Sequence, residues 1–183
     1  MAYSGKFQSF KNPQKYVGNI ENVTFRSLWE RNAMIWLDEN PNVKEWASEE
    51  IFFRYDHPVT GKSSRYFPDF YVKMIDDTIR IVEIKPQKEV DKPKEPKRKT
   101  KGYINEVATW LTNQEKWKEA KYHCDKNGMT FEVWTEHTLD EMGIQKKRSV
   151  TPLSEKVGRQ PGATKHKPVN RPKSSRPRPT RKS

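Results

Sequence analysis

Apolar positions along this chain change their spacing several times, and each change marks an element. From Asn22 or Thr24 to about Glu39, the residues Phe25, Leu28, Trp29, Ile35 and Trp36 fall on one helical stripe. Glu30 sits at its edge, and Pro41 ends the run. Val43–Trp46 and Ile51–Tyr55 read as a first strand broken by Ser48-Glu49-Glu50, and residues 56–62 as the turn after it. The stretch from Arg65 to Lys85, RYFPDFYVKMIDDTIRIVEIK, holds two β-branched and aromatic runs around Asp76-Asp77-Thr78, which predicts a hairpin. A second helix is expected from about Tyr103 to Lys126, with Val107, Trp110, Leu111, Trp117, Ala120 and Cys124 as its buried stripe. Gln114 falls inside that stripe and Lys121 on the same side; Asn127-Gly128 is a good cap pair. Met129–Thr135 alternates like a half-exposed strand, and Leu139–Ile144 reads as a short last helix.

Three stretches lack any apolar period. Residues 1–20 interleave Tyr3, Phe7, Phe10 and Tyr16 with Lys6, Lys11 and Lys15, and read as an extended basic arm. Its aromatics suit packing on the domain surface better than nucleic acid, though the second use stays open. Residues 86–102 hold prolines 86, 93 and 96 among charges, and are expected to form a mobile loop. Residues 145–183 are basic and Pro-rich, the composition of a disordered tail. The expected organisation is therefore an arm, a folded domain over 21–144, and a tail.

Charge sharpens this division. The chain of 183 residues carries 36 Lys and Arg against 24 Asp and Glu, a formal charge of +12. Thirteen of the bases and one of the acids lie in the tail, so the body is neutral and the tail carries the excess. Such a tail binds polyanions electrostatically. Lys97, Arg98 and Lys99 in the loop and Arg171, Lys173, Arg176, Arg178 and Arg181 in the tail are the expected DNA contacts. The lone Cys124 excludes an intramolecular disulfide and fits a reducing compartment. No apolar run reaches membrane-spanning length, and the N-terminus lacks the core of a signal peptide.

The hairpin carries the chemistry. Glu83 and Lys85 share one face of a strand while Ile84 points away. Whether Asp69 joins them depends on register. A two-residue turn would pair Asp69 with Ile84 and send its side chain to the other face; a three-residue loop or a bulge brings it to Glu83 and Lys85. Two acids and a lysine on one patch of sheet are costly unless a cation lies between them. Carboxylates suit Mg²⁺ or Mn²⁺, which assist phosphodiester hydrolysis. Asp69 and Glu83 would be the ligands with the Ile84 carbonyl, Lys85 would orient water or stabilise charge, and Glu30 would support a second ion or a bound water.

The order SLWE (27–30), Pro68-Asp69, Glu83-Ile84-Lys85, helix and strand resembles the PD-(D/E)xK nuclease superfamily. The arm with NPQKY, then FRSLWE and RYFPDFYVK, is similar to the head completion nucleases of tailed phages over about residues 5–136. The resemblance implies an α/β, restriction-endonuclease-like fold, a mixed central sheet flanked by helices. It implies Asp69, Glu83 and Lys85 as the catalytic set with Glu30 supporting, and Gln114 at a polar position that some members carry on the second helix. It implies a metal-dependent DNA endonuclease cutting or trimming DNA as packaging ends. Portal, neck or other head proteins would be partners; the host cytoplasm, and then the virion, would be its location. Two alternatives stand beside it: a non-catalytic head or neck protein binding DNA through its tail, and an endonuclease subunit of a transposition or restriction system.

Overall fold

The computed structural model describes residues 3–144. In chain order these form β1 (Gly5–Lys6), β2 (Thr24–Phe25), α1 (Leu28–Glu39), β3 (Val43–Ser48), β4 (Phe53–Asp56) and β5 (Ser63–Tyr66). There follow β6 (Phe70–Met74), β7 (Ile79–Ile84), α2 (Gln87–Val90), α3 (Lys101–Lys126), β8 (Thr130–Trp134) and α4 (Glu136–Glu141). The centre is a four-stranded sheet of order β3-β6-β7-β8. Its first three strands run antiparallel and β8 lies parallel to β7. A parallel neighbour needs a long crossover, and α2 and α3 supply it. The architecture is the mixed sheet flanked by helices that the family resemblance implies.

Alternation along the strands divides the core in two. Val72, Val82, Ile84 and Trp134 point to the side of Met34, Leu37 and Leu139 from α1 and α4. Phe131 and Val133 point the other way, toward Trp117 and Ala120 of α3 and Tyr55 and Tyr66 of the β4–β5 pair. Ser27 caps α1 by accepting the Glu30 N–H, and Thr100 caps α3 by accepting the Tyr103 N–H. The expected stop at Asn127-Gly128 is present: Gly128 takes φ +66°, and Met129 N–H returns to the Cys124 carbonyl at 2.9 Å.

Several expectations need correction. The "first strand" over 43–55 is two strands in different sheets, for β3 lies in the central sheet and β4 pairs only with β5. Glu49, at φ +55°, turns the chain between them. Likewise Arg65 and Tyr66 belong to β5, not to the hairpin strand, which begins at Phe70. The arm is not merely extended. Gly5 and Lys6 pair with β2, Phe7 is 3% exposed within the main core, and Phe10 and Tyr16 pack on Trp46. The loop over 86–102 contains α2, whose last residue accepts the Trp110 indole N–H at its carbonyl. The last helix is Glu136–Glu141, three residues earlier than expected, with Ile144 tucked back through its N–H to Leu139 O.

Candidate active site

Register in the hairpin decides where Asp69 points. Phe70 pairs with Val82 and Lys73 with Ile79. Met74 N–H bonds to Thr78 O at 2.9 Å, so Ile75, Asp76 and Asp77 form a three-residue loop. Asp77 takes φ +63°, a conformation Asp tolerates better than most residues. Continuing that register puts Asp69 opposite Glu83, on the face shared with Lys85. Asp69 itself lies one step beyond the ladder, just after the buried Pro68, where a missing N–H costs no sheet bond. Its carbonyl accepts the Glu49 N–H at 3.2 Å, and its carboxylate Oδ2 accepts the Ile84 N–H at 2.6 Å.

Glu83 is buried. Its Oε2 accepts the Tyr66 hydroxyl at 2.8 Å, and Lys85 Nζ lies 3.2 Å from its Oε1. Burial first, then the negative charge of Glu83, raise Asp69 well above the usual carboxylate range, against the pull of the Ile84 N–H. Burial raises Glu83 too, opposed by Lys85 and the Tyr66 hydroxyl. Burial works against the charged form of Lys85, but Glu83 and Asp69 outweigh it and hold the ammonium protonated. Tyr66 is pushed far up by burial and by Glu83, which keeps it a donor.

The patch opens on a cleft of about 490 Å³ lined by Arg26, Glu49, Arg65, Phe67 and Lys116 besides Tyr66, Asp69, Glu83 and Lys85. Arg26 is ion-paired with Glu49. Lys116 Nζ sits 5.7 and 5.6 Å from the ring centroids of Tyr55 and Tyr66, and burial lowers its pKa. Among the described residues, no group of three or more His, Cys, Asp or Glu side chains is placed to hold a metal ion. The carboxylates that line the cleft are those of Glu49, Asp69 and Glu83.

Other expected residues lie elsewhere. Glu30 does not line the cleft; its Oε2 accepts the Arg26 N–H at 2.7 Å, locking the start of α1, while its charge adds to the field at Asp69. Gln114 is half-buried outside the lining, Lys121 and Leu111 are exposed, and Asn113 is the buried amide, its side-chain nitrogen without a hydrogen-bond partner. The buried stripe of α3 runs Asn113, Trp117, Ala120, Cys124. Lys116 joins that face at helical spacing from Asn113 and Ala120, and reading the stripe from Asn113 instead of Trp110 would have found it. Lys97, Arg98 and Lys99 are exposed before α3. Arg171, Lys173, Arg176, Arg178 and Arg181 lie outside the described residues.

The family model of the TnsA-like endonuclease N-terminal domain matches residues 40–136, from the approach to β3 through β8. The chain belongs to this family. The Head completion nuclease of Enterobacteria phage T4 is 39% identical to it over 149 residues, covering 79% of this chain and 99% of that protein. Asp69, Glu83, Lys85 and Lys116 all lie inside the TnsA-like match, whereas Glu30 and the arm precede it. No helix among the described residues is long and apolar enough to cross a membrane.

Proposed function

We propose that this TnsA-like endonuclease is a metal-dependent DNA endonuclease of phage head completion, cutting or trimming DNA as packaging ends, made in the host cytoplasm and then associated with the virion. The observation that carries the reading is the opposition of Asp69 and Glu83 across adjacent strands, with Lys85 on the same face at an open, cation-lined cleft. The relative matched over 99% of its length supports the head-completion assignment over a transposition subunit. The paired acid, acid and lysine favour catalysis over a purely structural neck protein.

The donor set fits a hard divalent cation. Both carboxylates are raised by burial, and Asp69 is raised further by the charge of Glu83, which makes an oxygen site suited to a cation with the Ile84 carbonyl as a third oxygen. Mg²⁺ or Mn²⁺ bound there would supply Lewis-acid stabilisation of phosphoryl charge and an acidified water. Lys85, kept protonated by its neighbours, orients water or stabilises the developing charge and does not act as a base. Tyr66 holds Glu83 in place by donating to it. Arg26, Arg65 and Lys116 guide the phosphate backbone into the cleft. Lys97, Arg98, Lys99 and the basic tail extend that field, and portal or neck proteins bring the enzyme to DNA in the head.

Relaxation of supercoiled plasmid tests this directly. Wild type is expected to nick with Mg²⁺ or Mn²⁺ and not with EDTA, and Asp69→Ala and Lys85→Ala are expected to be inactive. Nicking by both variants would remove the assignment.

A further inference from the structure

The outer face of the β4–β5 ribbon is the part of the cleft rim that hydrolysis leaves unexplained. Arg54 pairs with Arg65 and Phe53 with Tyr66. Phe52 and Phe67 stand opposite each other one step past that pairing. Phe53 and Tyr66 pack toward α3, so alternation turns Phe52, Arg54, Arg65 and Phe67 to the opposite face, where all four are exposed. Phe52 is 46% and Phe67 41% exposed, with ring centroids 5.6 Å apart. The Arg65 guanidinium carbon lies 5.6 and 5.7 Å from the two centroids. Two phenylalanines held together in water beside an arginine make a contact surface, not a core. Its place says what it contacts. Arg65 and Phe67 line the cleft with Asp69 and Lys85, and only the buried Pro68 separates Phe67 from Asp69.

We propose that Phe52, Phe67 and Arg65 form a stacking platform for unpaired nucleobases beside the bond to be cut. The preferred substrate is then DNA with an unpaired segment, such as a gap or a fork, and not continuous duplex. This deepens the endonuclease reading above and rests on it. Aromatic faces set among cations match the two parts of a single strand, bases that stack and phosphates that need positive charge. Arg65 at the rings, Arg54 exposed on the ribbon, and Arg26, Lys85 and Lys116 in the cleft supply that charge. Bases inside an intact duplex are already stacked on each other, so the platform is reached only where a base has left the stack. The short Phe67-Pro68-Asp69 link, stiffened by proline, fixes the platform relative to the carboxylate.

Binding of labelled DNA to the full chain in EDTA separates this from cleavage. The probes are one duplex, the same duplex with a short gap, and the gapped form with 2-aminopurine in the gap. Wild type is expected to bind the gapped form about tenfold more tightly than the duplex, and to change the 2-aminopurine emission by stacking. Phe52→Ala with Phe67→Ala should lose that preference and leave duplex binding within about twofold, while Phe52→Trp with Phe67→Trp should retain it. Equal binding of both forms by wild type, or a preference intact in a folded double-alanine variant, overturns the proposal; a patch that serves a protein partner gives the latter result. Should the alanine pair not fold, the wild-type emission change decides alone. Plasmid nicking run alongside separates the two readings. Nicking without gap preference sinks only the platform, and gap preference without nicking sinks only the catalysis.

Discussion

Two buried aspartates meet different surroundings, and the difference separates a structural carboxylate from the one proposed to hold the metal. Asp38, near the end of α1, is fully buried and surrounded by donors. Its carboxylate accepts the Lys11 N–H at 2.7 Å and the Asn12 N–H at 3.0 Å, while its carbonyl accepts the Asn12 amide and the Lys15 ammonium. Those bonds tie the arm to the helix end, where cationic lysines also suit the exposed carbonyls. Asp69 has one backbone donor and, across the strand, another carboxylate. A buried acid ringed by N–H groups is satisfied; one set against a second acid at a cleft has fewer donors, and the proposed metal ion would supply the missing charge.

The largest effects should therefore fall on different observables. Asp69→Ala should lower the nicking rate by roughly three orders of magnitude or more, with the thermal midpoint preserved. Asp38→Ala should leave the cleft chemistry untouched but orphan the Lys11 and Asn12 N–H groups, costing about 3 kcal/mol in denaturant unfolding. A stability loss for Asp69→Ala as large as that for Asp38→Ala would erase the distinction.

The next effect is smaller and opposite in sign. Asp69 has a raised pKa in the folded protein. Its favourable, protonated state is fully present below the unfolded value, about 3.9, and is lost as pH rises through the folded value. Metal-free protein should thus lose stability as pH climbs from about 4 toward neutrality, and Mg²⁺ should restore more of it the higher the pH. Asp69→Asn removes the repulsion and should be more stable than wild type in EDTA at neutral pH. Thermal melts of both proteins across pH, with and without Mg²⁺, check the sign.

Much of this arrangement was legible from residue pattern because it rests on local periods. The two long helices, the hairpin and the last strand follow from apolar spacing, though not that strand's parallel direction, and the Asp-rich loop made a three-residue connection a real option. The β4–β5 ribbon was not legible. Ile51–Tyr55 and Arg65–Phe67 have the same aromatic texture as the sheet strands, and what diverts them is the left-handed turn at Glu49 and the break at Pro68. Nor was the depth of Phe7, whose polar neighbours along the chain conceal a socket built by β2, β3 and α1. Lys116 was missed because Trp110 and Leu111 pull the apparent stripe of α3 around the helix. Trp110 is in fact only half-buried, its indole N–H turned to Val90, and Leu111 faces water.

Glu30 gives the smallest predicted effect and tests the comparison at its boundary, since it resembles Asp38 in its bonding and Asp69 in its charge. It accepts a backbone N–H from Arg26 while Ser27 accepts its own, a reciprocal cap that leaves the carboxylate outside the cleft lining. Removing the side chain in Glu30→Ala should cost about 1 kcal/mol of stability and shift Arg26, which lines the cleft. Glu30→Gln keeps an oxygen for that bond but discards the charge felt at Asp69. Its stability should match wild type within about 0.5 kcal/mol, and its nicking rate should fall by no more than severalfold. A loss as deep as that of Asp69→Ala with the fold intact would place Glu30 among the metal-holding groups, and the line drawn between satisfied and waiting carboxylates would have to pass through α1.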